Sequence, residues 1–380
     1  MAKGKLKCQH CDECLGLGCI GQLPGLGGVF NNQNFQLNCE GWKELYRKGA
    51  TTEEGPSCTG RASYTGRASS ALRASSCASL SEKIDNIVIR PENLRCGPVT
   101  GAVENIGYEK EEDFYYPYLK AAADAGIGLC VGDGCPDLKL QLGIAAMKRL
   151  NEEIGSAAGA SAHVDIATRE TVATSVDVGT RAPLDTSLDV GTQAPLDTSV
   201  QAATPIDITT RAAFFLKPYP DQRLYERLEW VKPYAEYIGI DIDSYNILTM
   251  RNLVSLERKS ALQLENFRKR FDVPFVIKGV FTDEDIALVK EVHPDVVYIS
   301  NHGGRVETRI GSTANFLEKH AAELKKHCQE IWVDGGIRSR QDVQTALFYG
   351  ADKVIFARPL IHAVFDNTAD TLANFWKKFY

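Results

Sequence analysis

Short apolar runs rich in β-branched and aromatic residues recur along the chain from about residue 84 to the end. They read RCGPVT at 95–100, IGLCVG at 127–132, AAFFLK at 212–217 and EYIGIDI at 236–242, then PFVIKGV at 274–280, VVYISN at 296–301, IWVD at 331–334 and KVIFA at 353–357. Between them lie stretches with helical spacing, among them 221–235, 259–271, 282–292, 316–328 and 339–349. One unit shows the grammar clearly: a buried strand ends at Val280, and Thr282 stands as an N-cap with Asp283, Glu284 and Asp285 in the first turn. His293-Pro294 then stops the helix before the next strand. Eight strands, each followed by a helix, is the count of a closed parallel barrel, so the expected fold class is α/β, a (β/α)8 TIM barrel over residues 84–380.

Two segments break that rhythm. Residues 59–76 repeat a hexad (TGRASY, TGRASS, ALRASS), and residues 164–199 repeat a twelve-residue unit (VDIATRETVATS, VDVGTRAPLDTS, LDVGTQAPLDTS). Units this short, with so few aliphatic residues and Tyr64 as their single aromatic one, cannot stack into a solenoid core, so both read as expanded surface loops without a catalytic part. The expected organisation is a Cys/Gly-rich extension at 1–30, a linker at 31–83, and the barrel with a repeat insertion at about 156–211. Hydrophobic residues make up 44% and charged residues 24%, the range of an ordinary globular chain. A net charge of -6 argues against a nucleic-acid partner, and no apolar run approaches the roughly 20 residues of a membrane span. The basic N-terminus lacks an apolar segment like that of a secretory signal, which makes the cytoplasm the expected location.

In barrels of this kind the chemistry sits at the C-terminal ends of the strands. Those ends supply Thr100, Gly132 with Asp133, Lys217, Asp241, Lys278, His302 with Arg305, Asp334 to Arg338, and Arg358. DGGIR at 334–338 and ARP at 357–359 follow the last two strands. Glycines there let backbone N–H groups approach a phosphate, the arginines supply charge, and the following helix N-termini add their dipoles. His302, flanked by glycines in SNHGGR, is a candidate base, with Asp241 the candidate to hold its imidazole. Arg305 can grip a carboxylate with two parallel hydrogen bonds. Lys278 puts a cation in the same mouth.

KG at 278–279, SNHGGR at 300–305, DGGIR at 334–338 and ARP at 357–359 resemble the FMN-dependent α-hydroxy-acid dehydrogenase family, which includes glycolate and lactate oxidases. GPVTGA at 97–102 is similar to that family's first flavin loop, and IDID at 240–243 to its fourth-strand aspartate segment. The resemblance implies that FMN is held by Pro98, Val99, Thr100, Gly132, Lys278, Asp334, Gly335, Gly336, Arg338, Ala357 and Arg358. It implies a small L-2-hydroxy acid, lactate- or glycolate-like, as substrate, with Lys217, His302 and Arg305 around it. His302 would remove the hydroxyl proton as hydride passes to flavin N5, with Asp241 behind it and Lys278 near flavin N1. A homo-oligomer is implied as well, and the electron acceptor is left open.

The chain departs from the family pattern at several places. Phe215 and Lys217 stand where the family has a flavin-facing glutamine and a substrate-facing tyrosine. Ala357 replaces a glycine, the usual N-terminal tyrosine has no counterpart, and Arg251 is out of register for a second carboxylate-binding arginine. Two other readings compete with the first. One is an FMN-dependent isomerase like the type 2 isopentenyl diphosphate isomerase; the other is a non-catalytic flavin-binding redox module.

Four of the eleven cysteines, Cys8, Cys11, Cys14 and Cys19, form C-x2-C-x2-C-x4-C. Two-residue gaps let neighbouring thiolates face one ion or cluster, so zinc as a structural clip and a [4Fe-4S] cluster both fit, and the glycine-rich stretch after them could wrap either. The arrangement resembles an N-terminal extension found in a bacterial branch of the same family. The other cysteines are scattered.

Overall fold

The computed structural model describes residues 33–51, 80–172, 210–247, 254–306, 308–366 and, near the C-terminus, 372, 375–377 and 379. The cysteine cluster, the hexad repeat, most of the twelve-residue repeat and Arg251 lie outside these residues. The chain divides into two units, 1–148 with 211–380, and 149–210.

The first unit holds eight parallel strands: β1 Leu94–Cys96, β2 Leu129–Gly132, β3 Ala212–Leu216, β4 Ala235–Asp241, β5 Phe275–Val280, β6 Val296–Ile299, β7 Glu330–Val333 and β8 Lys353–Phe356. Each pairs with its neighbour in sequence from β2 to β8, and β1 pairs with β8. A parallel bridge from Arg95 to Gly128 joins the two ends of the sheet, so the barrel closes. The helices are α1 Gln33–Thr51, α2 Leu80–Asp85, α3 Glu112–Asp124, α4 Leu138–Val172, α5 Asp221–Val231, α6 Ala261–Arg268, α7 Asp283–Val292, α8 Thr313–Leu324, α9 Arg340–Phe348 and α10 Arg358–Asp366. From residue 149 onward α4 belongs to the second unit, where Thr210 N–H donates to Asn151 Oδ1 at 2.7 Å.

Local chemistry sets the helix starts. Thr282 caps α7 in a reciprocal box with Asp285, and Ser260, Ser312 and Ser339 cap α6, α8 and α9. His293 ends α7 in the left-handed region at φ 48°. The barrel interior is layered. A buried aromatic group of Phe215, Tyr298 and Trp332 fills its middle, with ring centroids 5.3 to 6.4 Å apart. Below it Arg95 lies over Tyr237 at 5.0 Å and over Trp332 at 4.7 Å. Gly239 leaves the room that Phe215 occupies, since a Cβ there would sit 2.9 Å from the ring. This plug floors the cavity in which the strand ends meet.

Two expectations need correction. The segment read as a linker, 31–83, contains α1 and α2, and α1 is packed rather than strung out: Phe35, Cys39, Trp42 and Leu45 are buried at helical spacing. The repeat composition further along masked that short periodicity. The insertion read as starting at about 156 begins inside a helix, because α4 runs on to Val172.

Helix α1 docks on the loops that follow β6 and β7. Trp42 Nε1 donates to Gly335 O at 2.7 Å, and Asn34 Nδ2 to Val306 O at 2.6 Å. Gly336, at φ +80°, touches the helix so closely that a Cβ would fall 1.8 Å from Asn38 O. Replacing Gly336 with Ala adds this clash to a left-handed backbone cost, so we expect a loss of about 3 kcal/mol or more in thermal denaturation. Gly155→Ala, in an open position on α4, should instead gain about 0.5–1 kcal/mol. Equal effects of the two would contradict this packing.

Candidate functional site

Register brings the first pair of charges together. Asp241 ends β4 directly opposite Lys278 on β5, and Lys278 Nζ donates to Asp241 Oδ1 at 2.7 Å with both residues buried. Lys217, at the end of β3, reaches Asp241 Oδ2 at 3.6 Å and Ser244 Oγ at 3.2 Å. One carboxylate therefore sits between two ammonium groups. Burial works to raise the pKa of Asp241, but Lys278, His302 and Lys217 hold it well below the usual carboxylate range. Burial works to lower that of Lys278, and Asp241, Asp243 and Asp334 outweigh it and raise it.

The histidine's partner is not the aspartate expected. His302 Nδ1 lies 3.0 Å from Asp243 Oδ1 and 3.6 Å from Asp241 Oδ2. Asp241 points at the lysines, while the chain turns beyond β4 and brings Asp243 back under the imidazole. The KG dipeptide makes that possible. Gly279 has φ +96° at a register shift in β5, and a Cβ there would meet Asp243 Cγ at 2.7 Å. Burial first, and then the charge of Asp241, push the Asp243 carboxyl up to about 6 against the pull of His302 and Lys278. An ionised Asp243 accepts from Nδ1–H and so leaves Nε2 as the acceptor facing the cavity.

Asp241, Asp243 and His302 also offer three ligand atoms within 4.8 Å of one another. Lys278 at 2.7 Å from Asp241 already supplies the cation that a metal would bring.

A single cavity of about 450 Å³ gathers the residues singled out from the sequence. Pro98, Val99, Thr100, Gly132, Lys217, Asp241, Lys278, His302, Arg305, Asp334, Gly335, Gly336, Arg338, Ala357 and Arg358 all line it. The loop after β1 is pinned by Glu111, which accepts from the N–H groups of Gly101, Ala102 and Val103. Gly132 admits that loop, since a Cβ would sit 2.5 Å from Pro98 O. Asp133, next in the chain, is structural: it forms a fully buried ion pair with Arg227 of α5 at 3.1 Å.

At the far wall Tyr298 OH donates to Asp334 Oδ2 at 2.8 Å, while Asp334 Oδ1 is buried with no partner among the described residues. It is an acceptor suited to a ligand hydroxyl. The helix dipoles differ from expectation, because Asp342 accepts from the N–H groups of Arg338 and Ser339 and covers the start of α9 with a carboxylate. The start of α10, at Arg358, remains on the cavity wall. The two glycines after β7 serve α1 as much as any ligand: beyond the contact at Gly336, a Cβ on Gly335 would sit 2.9 Å from Asn38 Nδ2.

Phe35 and Asn38 of α1 line the cavity too, and the Arg358 guanidinium lies 4.2 Å from the Phe35 ring centroid. Sequence reasoning missed both, along with Asp243. Phe35 and Asn38 were hidden by the linker assignment. Asp243 could have been found as the second acid of IDID.

Arg305 Nη1 donates to His302 O at 3.1 Å. Burial and the neighbouring Arg358 charge lower its pKa to about 9. Two guanidinium groups held close enough to repel mark a place built for an anion.

Residues 168–378, which include β3 to β8, match the model of the family described as FMN-dependent dehydrogenase. A rat 2-hydroxyacid oxidase 2 is 33% identical over 89 residues, 23% of this chain and 25% of the relative. An L-lactate dehydrogenase of Vibrio parahaemolyticus is 38% identical over 101 residues, 27% of this chain and 26% of the relative. The chain thus matches about a quarter of the length of these curated relatives. A crystal structure of a mandelate oxidase variant superposes with a TM-score of 0.48 at 16% identity, covering 76% of this chain and 72% of that one.

The like-charge pair yields a test. Sulfate or phosphate should raise the melting temperature of the protein at pH 7, by an amount equivalent to about 2.7 kcal/mol at a hundred times the dissociation constant. The effect should fade as pH rises through about 9, where Arg305 loses its charge, and should be lost in Arg305→Met. An anion effect that ignores both pH and the substitution would contradict the assignment.

Proposed function

The chain belongs to the FMN-dependent dehydrogenase family, and we propose that it oxidises a small L-2-hydroxy acid, lactate- or glycolate-like, to the 2-keto acid, with His302 as the base. One observation carries the reading. A histidine backed by a buried carboxylate, an arginine beside a second arginine, and a buried lysine all face the same 450 Å³ cavity.

The residues fit FMN. Arg338, Arg358 and the backbone at 335–337 and 357 would hold its phosphate, and Asp334 Oδ1 would accept from a ribityl hydroxyl. Pro98, Val99, Thr100 and Gly132 would form the wall along the ring. When bound, FMN supplies the two-electron acceptor for the C2 hydrogen.

The chain's own residues do the rest. Arg305 binds the substrate carboxylate and fixes which way C2 faces. His302 Nε2 takes the hydroxyl proton, and Asp243 stabilises the imidazolium that results. Asp241, flanked by Lys278 and Lys217, holds both ammonium groups in place. Lys278 is the cation on hand to balance negative charge on a reduced flavin. Lys217, where relatives of this type have a tyrosine, adds a further cation to the cavity that Arg305 lines and so favours an anionic substrate. Those charges support a carboxylate substrate. The electron acceptor that reoxidises the flavin, a cytoplasmic location and a homo-oligomeric state belong to the same proposal.

An anaerobic absorbance spectrum, recorded before and after L-lactate or glycolate is added to the FMN-loaded protein, tests the reading. We expect the flavin bands to bleach in the wild type. In His302→Gln they should persist while FMN remains bound. Bleaching that survives this substitution would remove His302 as the base. In the wild type kcat/KM should fall as pH drops below about 6, where Asp243 takes up a proton and no longer stabilises an imidazolium. Asp243→Asn should lose on the order of 10²–10⁴ in kcat, while Asp241→Asn should disturb flavin binding first.

A further inference from the structure

His302 has a backbone conformation uncommon outside glycine. Its φ is +57°, and outside glycine only His293 shares that sign among the described residues. A left-handed non-glycine residue costs on the order of 1–3 kcal/mol and persists only where its surroundings impose it.

The imposing groups can be followed outward from the turn. Asn301, just before the histidine, accepts from Gly304 N–H at 2.9 Å through Oδ1, closing the short turn His302–Gly304. Its Nδ2 donates to Gly311 O at 3.4 Å. Its backbone carbonyl accepts from Gly304 N–H and Val306 N–H, and its remaining side-chain hydrogen bonds go to one residue of α1: Asn38 Nδ2 donates to Asn301 Oδ1 at 2.7 Å, and Asn301 Nδ2 donates to Asn38 Oδ1 at 3.0 Å. Asn38 Oδ1 also accepts from Thr313 N–H, at the start of α8, at 3.0 Å. Both asparagines are completely buried. Gly304 lets the helix approach, because a Cβ there would meet Phe35 N at 2.6 Å.

We propose that Asn38 is a positioning residue for the reaction: through its reciprocal amide pair with Asn301, helix α1 holds the His302 turn in its left-handed conformation and so aims the imidazole. The inference rests on the proposed role of His302 as base. Without Asn38, Asn301 loses two of its side-chain hydrogen bonds, and the turn can relax toward an ordinary backbone that carries the ring away from Asp243. Its Nε2 then no longer meets the substrate hydroxyl. The Asn38 side chain bonds to Asn301 and Thr313 and to none of the groups assigned to FMN or to the substrate carboxylate, so their binding survives.

The test uses FMN-loaded full-length protein and a hydroxy acid that bleaches the wild-type flavin. If none does, the functional reading itself fails and the variants say nothing against Asn38. With turnover in hand, Asn38→Ala should lower kcat about 10- to 100-fold, with KM and the FMN dissociation constant within threefold of wild type. The double variant with Asn301→Ala should be no slower than the slower single variant, because both break one link. Trp42→Phe is the control on the same helix: it removes the bond to Gly335 O but leaves the amide pair, and it should keep kcat within threefold. If Asn38→Ala does not fold, Asn38→Asp, which keeps the shape and loses the donor to Asn301 Oδ1, should show the same kcat loss. The proposal is overturned if kcat is unchanged in the Asn38 variants. It is also overturned if the loss comes wholly through FMN release, if the two asparagine effects multiply independently, or if Trp42→Phe slows the enzyme equally.

Discussion

A buried ammonium and a buried carboxylate 2.7 Å apart, Lys278 and Asp241, impose the strictest constraint in the barrel. Neither charge tolerates burial alone. Removing one partner of such a pair typically costs about 3–5 kcal/mol, because the other is left uncompensated. Adjacent strands in fixed register keep them together, and the aromatic plug fills the barrel beneath them. Once Asp241 is committed to Lys278 and Lys217, it is no longer available as the main partner of His302. That work falls to Asp243, which sits where it does only because residue 279 has no side chain. A strand pair, a glycine bulge and a turn thus divide two neighbouring acids between two tasks.

The second constraint comes from outside the barrel. Helix α1 lies against the loops after β6 and β7, and its closest approaches fall where Gly304, Gly335 and Gly336 lack a side chain. Glycines beside a phosphate site invite one explanation, namely close approach of a ligand to the backbone. Here the backbone of α1 makes the close approach at Gly304 and Gly336. The arginines are the charges that line the cavity on that side. The mouth is therefore built from two layers, strand ends that carry charge and a helix that fixes the loops between them.

The barrel was legible because parallel strands buried on both faces appear as continuous apolar runs, and seven of the eight expected runs overlap the observed strands over most of their length. The first run shrank to Leu94–Cys96, since Gly97-Pro98 turns the chain into the cavity wall. Residues that line the cavity were legible where motif and strand end coincide, as at Lys278, His302, Arg305 and Arg358. The reading failed where a role depends on tertiary geometry. Whether Asp241 or Asp243 meets the imidazole is decided by where β4 stops and how β5 bulges, and no spacing rule contains that information. Helix α1 was missed for a different reason: its apolar positions at 35, 39, 42 and 45 are helical, but the composition of the repeat downstream dominated the reading of that region.

The central claim is that the buried charges at the strand ends are arranged around a flavin. A potentiometric titration of the FMN-loaded protein, compared with Lys278→Met loaded to the same extent, tests it most directly. A cation against the ring stabilises the reduced, negatively charged flavin, so the midpoint potential of the variant should lie clearly below that of the wild type. Identical potentials in the two loaded proteins would mean that Lys278 does not face the flavin, and the arrangement described here would be wrong at its centre.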